Sequence, residues 1–298
     1  MGSIRTMLLL LGAAVASPVL AGGRLAPPVP HSWEPFITRP GAMARCSGHM
    51  QGICVTSNAV YGTLIDGLYR FDWYGRMISH VGARAHQGDI CYWDGKLYTA
   101  VCGQQKDPKN RGRIDVWDEN LNKLRSAEFK LPADGITCMD GVLYVGLGPA
   151  RIPGKPNRGN YFGKFDAKTL KPLCEPFLVD HGYDVCAGVQ NIANDGEKLY
   201  INFYTPEEGT PCFFVFDKNF KVLESHVFGW RHGLDVVGGG EPGAVRFVYA
   251  LTINNFSPAS KQPVEPALAQ TLFRYAELKN GKIWDMTRYI DFPNEKQR

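Results

Sequence analysis

Two hairpin signatures alternate five times along these 298 residues, and very few folds can accommodate that order. The first is an apolar strand, a tight turn and a second strand ending in an aromatic. It runs from Ile53 to Tyr61, Ile90 to Tyr98 through Asp94-Gly95, Ile136 to Tyr144 through Asp140-Gly141, Ile192 to Tyr200 through Asp195-Gly196, and more loosely from Leu234 to Tyr249. Asp-Gly between alternating apolar residues supplies the positive backbone angles of a two-residue hairpin turn. The second signature is an apolar alternation running into a polar turn. It reads Leu68-Tyr69-Arg70-Phe71-Asp72, Ile114-Asp115-Val116-Trp117-Asp118, Tyr161-Phe162-Gly163-Lys164-Phe165-Asp166 and Phe213-Phe214-Val215-Phe216-Asp217, then Leu272-Phe273-Arg274-Tyr275-Ala276 without the acid.

Positions 72, 118, 166, 217 and 276 stand 46, 48, 51 and 59 residues apart. Two hairpins per period make a four-stranded antiparallel meander, and radial repetition of such sheets leaves only short, protected edges. The expected fold is therefore an all-β, five-bladed β-propeller of four-stranded antiparallel blades. A sandwich also has many short strands, but it does not repeat two hairpin signatures in fixed order. Trp33 to Ile37 precede the first blade and are expected to pair with the last sheet, closing the ring.

Arg5, the apolar run Met7 to Val15 and the sequence Val19-Leu20-Ala21 have the layout of a secretory signal peptide. Residues 1–21 are expected to be a leader and 22–298 one propeller domain, secreted or periplasmic. No later apolar run approaches the roughly 20 residues of a spanning helix, so no stable membrane insertion is expected. Eight cysteines follow the leader, an even number that permits disulfides in an exported chain. Cys54, Cys91 and Cys138 sit inside strand patterns and read as small buried hydrophobes. The formal net charge of +4, or +3 without Arg5, is too weak to imply nucleic acid. A monomer is the expectation.

In a meander, the start of each inner strand and the connection between second and third strands emerge at the same end, here called the top. The top connections vary in length and are long at 103–112, 149–160, 205–211 and 254–270. Variable loops on a rigid scaffold are where binding and catalysis concentrate. Counted from the apolar residue that opens each inner strand, the position two before it reads Gln51, Gly88, Asp134, Gln190 and His232. His49 and His86 stand four before. These side chains should converge on the mouth of the central channel.

His49, His86, His232 and Asp134 are thus the candidate catalytic acid–base groups. His49, His86, Gln190 and His232 are the candidate ligands for a divalent cation such as Ca, Mn or Zn. The same residues also suit hydrogen bonding to backbone and ordered water. Arg111, Arg113, Arg151 and Arg158, with Lys106, Lys109 and Lys155, place cations over one sector of the mouth, where they would attract an anionic ligand. Tyr183, Trp230, Arg231 and Asn254 complete the candidate substrate-binding set, its aromatics suited to stacking on sugar rings.

No GxSxG, Walker, HExxH or GxGxxG motif occurs. The repeats and the His-x-Gln-Gly and His-Gln-Gly-Asp stretches resemble secreted β-propeller proteins. The set His49, His86, Gln190 and His232 is similar in kind to the site of propeller polysaccharide lyases of the oligogalacturonate type. That resemblance implies a histidine- and glutamine-held divalent cation and elimination on an acidic saccharide. Two other readings fit the residues: a non-catalytic glycan- or protein-binding scaffold using the same face, and a glycoside hydrolase pairing two of Asp89, Asp134, Asp184 and Asp235.

Overall fold

The computed structural model describes residues 50–64, 67–72, 77–83, 86–102, 111–149, 159–183, 188–204, 209–228, 233–238, 242–253 and 270–285. Among them every regular element is a strand, and twenty strands form five four-stranded antiparallel sheets, each from one continuous stretch of chain. Blade 1 holds β1 (Met50–Val55), β2 (Val60–Leu64), β3 (Gly67–Phe71) and β4 (Met77–Gly82). Blade 2 holds β5 (Gln87–Trp93), β6 (Lys96–Val101), β7 (Gly112–Trp117) and β8 (Lys123–Phe129). Blade 3 holds β9 (Ile136–Met139), β10 (Val142–Pro149), β11 (Gly159–Asp166) and β12 (Phe177–Asp180). Blade 4 holds β13 (Val189–Asn194), β14 (Lys198–Phe203), β15 (Phe213–Asp217) and β16 (Val222–His226). Blade 5 holds β17 (Leu234–Val237), β18 (Ala244–Ile253), β19 (Gln270–Lys279) and β20 (Lys282–Asp285). The inner strands touch in the cyclic order β1, β5, β9, β13, β17 and back to β1, so the sheets form a closed five-bladed propeller.

Turn chemistry explains most of the hairpins. Asp94-Gly95 and Asp140-Gly141 have both central residues at positive φ (48° and 73°, 53° and 76°), as the expected two-residue turn requires. Asn280-Gly281 does the same between β19 and β20. Asp195-Gly196 differs: Gly196 alone is left-handed (φ 95°), and the Asp195 carboxylate accepts the backbone N–H groups of Glu197 and Lys198 (2.8 and 2.7 Å). The turn there is longer because the side chain stands in for a backbone acceptor.

The recurring acid after the third strand has a similar role. Asp118 and Asp217 each accept two backbone N–H groups two and four residues on, and Asp166 accepts that of Thr169. Each of these turns then drives one buried apolar residue, Leu121, Leu170 or Phe220, inward at positive φ.

Apolar burial sits in five wedges, each between neighbouring blades. Cys54, Tyr61 and Leu68 meet Ile90, Leu97 and Trp117 between blades 1 and 2. Cys91 and Cys138 lie in the wedge between blades 2 and 3, in keeping with the reading of these cysteines as small hydrophobes. The wedge between blades 3 and 4 is the most aromatic, and that between blades 4 and 5 sets Tyr200 and Phe213 edge-on to Phe247. The ring closes where Val237, Val248, Ala250 and Phe273 pack on Met50, Ile53 and Phe71. Blade 5 thus joins blade 1 through side chains, and its four strands come from residues 234–285. The leader, Trp33 to Ile37 and His49 lie outside the described residues.

Glycine is sterically required at one blade contact. A Cβ on Gly135 would run into Val189 Cγ1 and come within 2.8 Å of Ile192 Cγ1. Gly135→Ala is expected to cost about 1–3 kcal/mol, as overpacking of a rigid core does. Chemical denaturation measures it; an unchanged midpoint would mean that blades 3 and 4 can separate locally.

Candidate functional site

In blades 1, 2 and 4 the position two before the inner-strand apolar residue coincides with a break in strand pairing. Register shifts fall between Met50 and Gly52, between Gln87 and Ile90, and between Val189 and Asn191. Gln51, Gly88 and Gln190 stand inside those bulges, which re-aim a side chain out of the sheet. Gln190 Nε2 donates to Gln51 Oε1 at 3.0 Å, linking blade 4 to the non-adjacent blade 1 across the axis. Both glutamines are buried.

The next position, one before the apolar residue, reads Gly52, Asp89, Gly135, Asn191 and Gly233 around the ring. Two polar side chains share this layer with three glycines. Asp89 Oδ2 accepts the N–H of Ile136 (3.2 Å) and that of Ile192 (2.8 Å), so one carboxylate ties blade 2 to blades 3 and 4. Asn191 Nδ2 donates to the Gln51 carbonyl at 2.7 Å, tying blade 4 to blade 1. Asp235 accepts the N–H of Val55 at 2.7 Å and ties blade 5 to blade 1. Burial holds the Asp89 carboxyl well above the usual range, against the pull of its backbone hydrogen bonds. The axis is therefore cross-linked by hydrogen bonds beneath the mouth.

At that mouth Asp134 precedes β9, half-buried. Its backbone carbonyl accepts the N–H of Asp89 (2.7 Å), and a Cβ on Gly88 would lie 2.5 Å from that oxygen, so blades 2 and 3 meet backbone to backbone. Burial pushes the Asp134 carboxyl up to about 6, with a hydrogen bond from the Cys102 thiol opposing the shift. The thiol itself is pushed up to about 12, first by burial and then by the adjacent carboxylate, and is no nucleophile. His86 sits beside them: its carbonyl accepts the Cys102 N–H at 3.1 Å, and burial holds its imidazole below the ordinary histidine range. A carboxyl titrating near 6 and an imidazole biased toward neutrality can both accept a proton in the neutral range.

The other sequence-predicted residues fall in three groups. Gln190 is on the axis, buried beneath the mouth. Arg111 is exposed at the top of blade 2. Arg113, two residues on, is committed to Asp115 through paired bonds of 2.6 and 2.9 Å, and Lys123 reaches the same buried carboxylate at 2.9 Å. Tyr183 is 39% exposed at the top of blade 4, its ring 5.6 Å from that of Phe214. His49, Arg151, Arg158, Trp230, Arg231, His232 and Asn254 lie outside the described residues, as do Lys106, Lys109, Lys155 and Asp184. The described residues contain no group of three His, Cys, Asp or Glu able to hold a metal ion.

Sequence reasoning passed over His181. It is buried between Phe203 and Phe214 (ring centroids 4.7 and 5.3 Å away), with Nε2 3.1 Å from Asn160 Nδ2 and Nδ1 facing the Tyr183 N–H at 3.4 Å. The signal available was the turn Asp180-His181-Gly182-Tyr183, where Asp180 accepts the Gly182 N–H at 2.8 Å. A cleft of about 360 Å³ lies elsewhere, lined by His226, Phe228, Ile283 and Trp284, and none of the mouth residues borders it.

No protein-family model matches this sequence, and no curated relative does. Solved structures with the same fold include glutaminyl cyclase from Myxococcus xanthus, with TM-score 0.51 and 9% identity over 83% of this chain and 99% of that one. The GH43_1 enzyme from Xanthomonas citri gives 0.51 and 13% over 82% of this chain and 95% of that one. A bifunctional GH43-CE protein from Bacteroides eggerthii gives 0.54 and 11% over 85% of this chain and 35% of that one. At these identities the likeness is one of fold.

Proposed function

We propose that this propeller is a carbohydrate-active enzyme that cleaves an acidic saccharide at the mouth by elimination, with Asp134 as the base. The observation that carries the reading is a mouth carboxyl held near 6 by burial, on the same rim as His86, whose imidazole is biased toward neutrality and whose carbonyl accepts the N–H of Cys102, the thiol partner of Asp134. Two of the neighbours of the same fold, the GH43 proteins, support a saccharide as the substrate class. Elimination is favoured over hydrolysis because Asp89 and Asp235, two of the four carboxylates available for a hydrolytic pair, are occupied as backbone acceptors between blades.

In the proposed step Asp134 takes the proton on the carbon next to the uronate carboxyl. The electron pair becomes a carbon–carbon double bond, the bond from the adjacent carbon to the glycosidic oxygen breaks, and that oxygen leaves with its pair and is protonated by solvent. Arg111 and the loop cations neutralise the uronate, which makes the abstracted proton more acidic. His86 is the second proton acceptor in this reading, and His49 and His232, which the sequence pattern also offers, lie outside the described residues.

The test is a screen of the mature protein on uronate-containing polysaccharides, following ultraviolet absorbance of the new double bond together with reducing ends. Absorbance that rises with reducing ends supports elimination. Reducing ends without absorbance would replace it by hydrolysis, and retention without either product would make the protein a binding scaffold. The two arginines should separate: Arg111→Ala lowers kcat/KM about three- to fivefold, with part of the loss in kcat, because the exposed charge it removes both binds the uronate and acidifies the abstracted proton. Arg113→Ala lowers stability instead, because it strips one of two cations from buried Asp115, and leaves KM nearly unchanged.

A further inference from the structure

Three buried oxygens near the propeller axis have no hydrogen-bond donor among the described residues: Asp89 Oδ1, Gln190 Oε1 and Asn191 Oδ1. Their residues are 0%, 2% and 0% exposed. All three are acceptors, so what is missing is a donor or a positive charge. The orientation of the two amides is set by what their nitrogens do, since Asn191 Nδ2 donates to the Gln51 carbonyl and Gln190 Nε2 to Gln51 Oε1.

Asp89 and Asn191 both come up to residues 51 and 52, and Gln190 precedes Asn191 in β13. Asp89 Oδ2 is 2.8 Å from the N–H of Ile192, the residue bonded to Asn191. Asp89 Oδ1 would lie 2.7 Å from a Cβ on Gly52, the residue bonded to Gln51, on which both amides rest. Glycines at 52, 135 and 233 keep side chains of the other three blades out of this layer. A single water carries two hydrogens and leaves one of three oxygens bare, whereas a cation serves all three. No described ion pair involves Asp89, so a cation would take the place of the proton that burial otherwise favours on this carboxyl.

We propose that the propeller axis binds one hard cation through Asp89 Oδ1, Asn191 Oδ1 and Gln190 Oε1. The set is all oxygen, which selects alkali or alkaline-earth ions over zinc or copper. One carboxylate with two amides in a flexible-distance arrangement suits Na⁺, K⁺ or Ca²⁺ better than Mg²⁺, which demands short octahedral bonds and keeps its waters. The ion ties the same inner strands that the hydrogen bonds tie, beneath the mouth, and its role is structural. This inference rests on none of the chemistry proposed for Asp134.

The experiment uses the full mature chain, exchanged with chelator into tetramethylammonium chloride and then titrated with NaCl, KCl, CaCl₂ or MgCl₂ at constant ionic strength. The melting temperature is expected to rise saturably, by about 5–10 °C at a hundredfold excess over the dissociation constant, with one of Na⁺, K⁺ or Ca²⁺ and least with Mg²⁺. Identical melting in all salts overturns the proposal. Asp89→Asn keeps an oxygen for Ile136 and Ile192 and removes the charge, so it should abolish the salt dependence; a folded variant that retains it overturns the location. If that variant does not fold, Gln190→Met, which removes Oε1 at similar length, decides the location by whether the half-saturating ion concentration rises.

Discussion

Replacing Asp134 by asparagine is expected to cut turnover of an acidic polysaccharide by about 10²–10⁴-fold, the usual contribution of a positioned general base, while making the folded protein more stable at neutral pH. The two effects have one origin. The carboxyl titrates near 6 in the fold against an ordinary value of 3.8, because burial disfavours its charge. Between those values the folded state binds more protons than the unfolded state, so stability falls as pH rises through this window and stays reduced above it. Asparagine carries no proton equilibrium, so it removes that penalty, about 3 kcal/mol at pH 7 and fading out below about pH 4. It still offers an oxygen to the Cys102 thiol. For the wild type, kcat/KM should climb as Asp134 deprotonates and level off above pH 6–7. Denaturation at several pH values, run beside the rate measurements, separates the possibilities. A stabilised variant with full activity would remove Asp134 from the chemistry, and a destabilised, inactive one would reassign it to packing.

Phe162→Ala should lower stability by about 3–5 kcal/mol, the range for emptying a core aromatic site. Phe162 is fully buried on β11, and its ring centroid lies 4.6 Å from that of Phe220 and 6.5 Å from that of Phe177. Phe220 comes from blade 4 and in turn meets Tyr144 and Phe216, so the alanine would open a void where two rigid sheets cannot collapse on each other. Phe220→Ala makes a useful contrast: it empties a neighbouring site but lies in a turn at φ 64°. Equilibrium denaturation of both variants measures the wedge, and a loss below about 1 kcal/mol for Phe162 would mean that the blades re-pack.

The architecture was legible because it is written by local rules repeated five times. Period-two alternation, Asp-Gly turns and the acid after the third strand each encode one hairpin without reference to the rest of the chain. Asp195-Gly196 shows where local rules stop, since the same dipeptide makes a different turn once Asp195 accepts backbone N–H groups. The site was legible only to the extent that it is repeated. The position two before the apolar residue stood out as polar in four of five repeats, and in blades 1, 2 and 4 it falls on a bulge. The adjacent position, reading Gly, Asp, Gly, Asn, Gly, carries the ties made by Asp89 and Asn191; the sequence offered Asp89 only as half of a hydrolytic pair, because its role as a tie lies between blades far apart in sequence. Arg113 was placed in the basic sector by composition; Asp115, on the same face of the strand two residues later, commits it to a buried pair.

The axial ties have a consequence for how this chain can change over evolutionary time. A ring of equivalent repeats can gain or lose a unit, because every junction accepts every other. Here the inner strands are individualised: Asp89 must find blades 3 and 4, and Asn191 must find blade 1 beyond blade 5. A sixth copy, wherever inserted, would widen the ring and strand at least one of these side chains without its mate. The same asymmetry that ended the chain's freedom to duplicate gives each blade an address, so substitutions at corresponding positions of different blades are not interchangeable experiments.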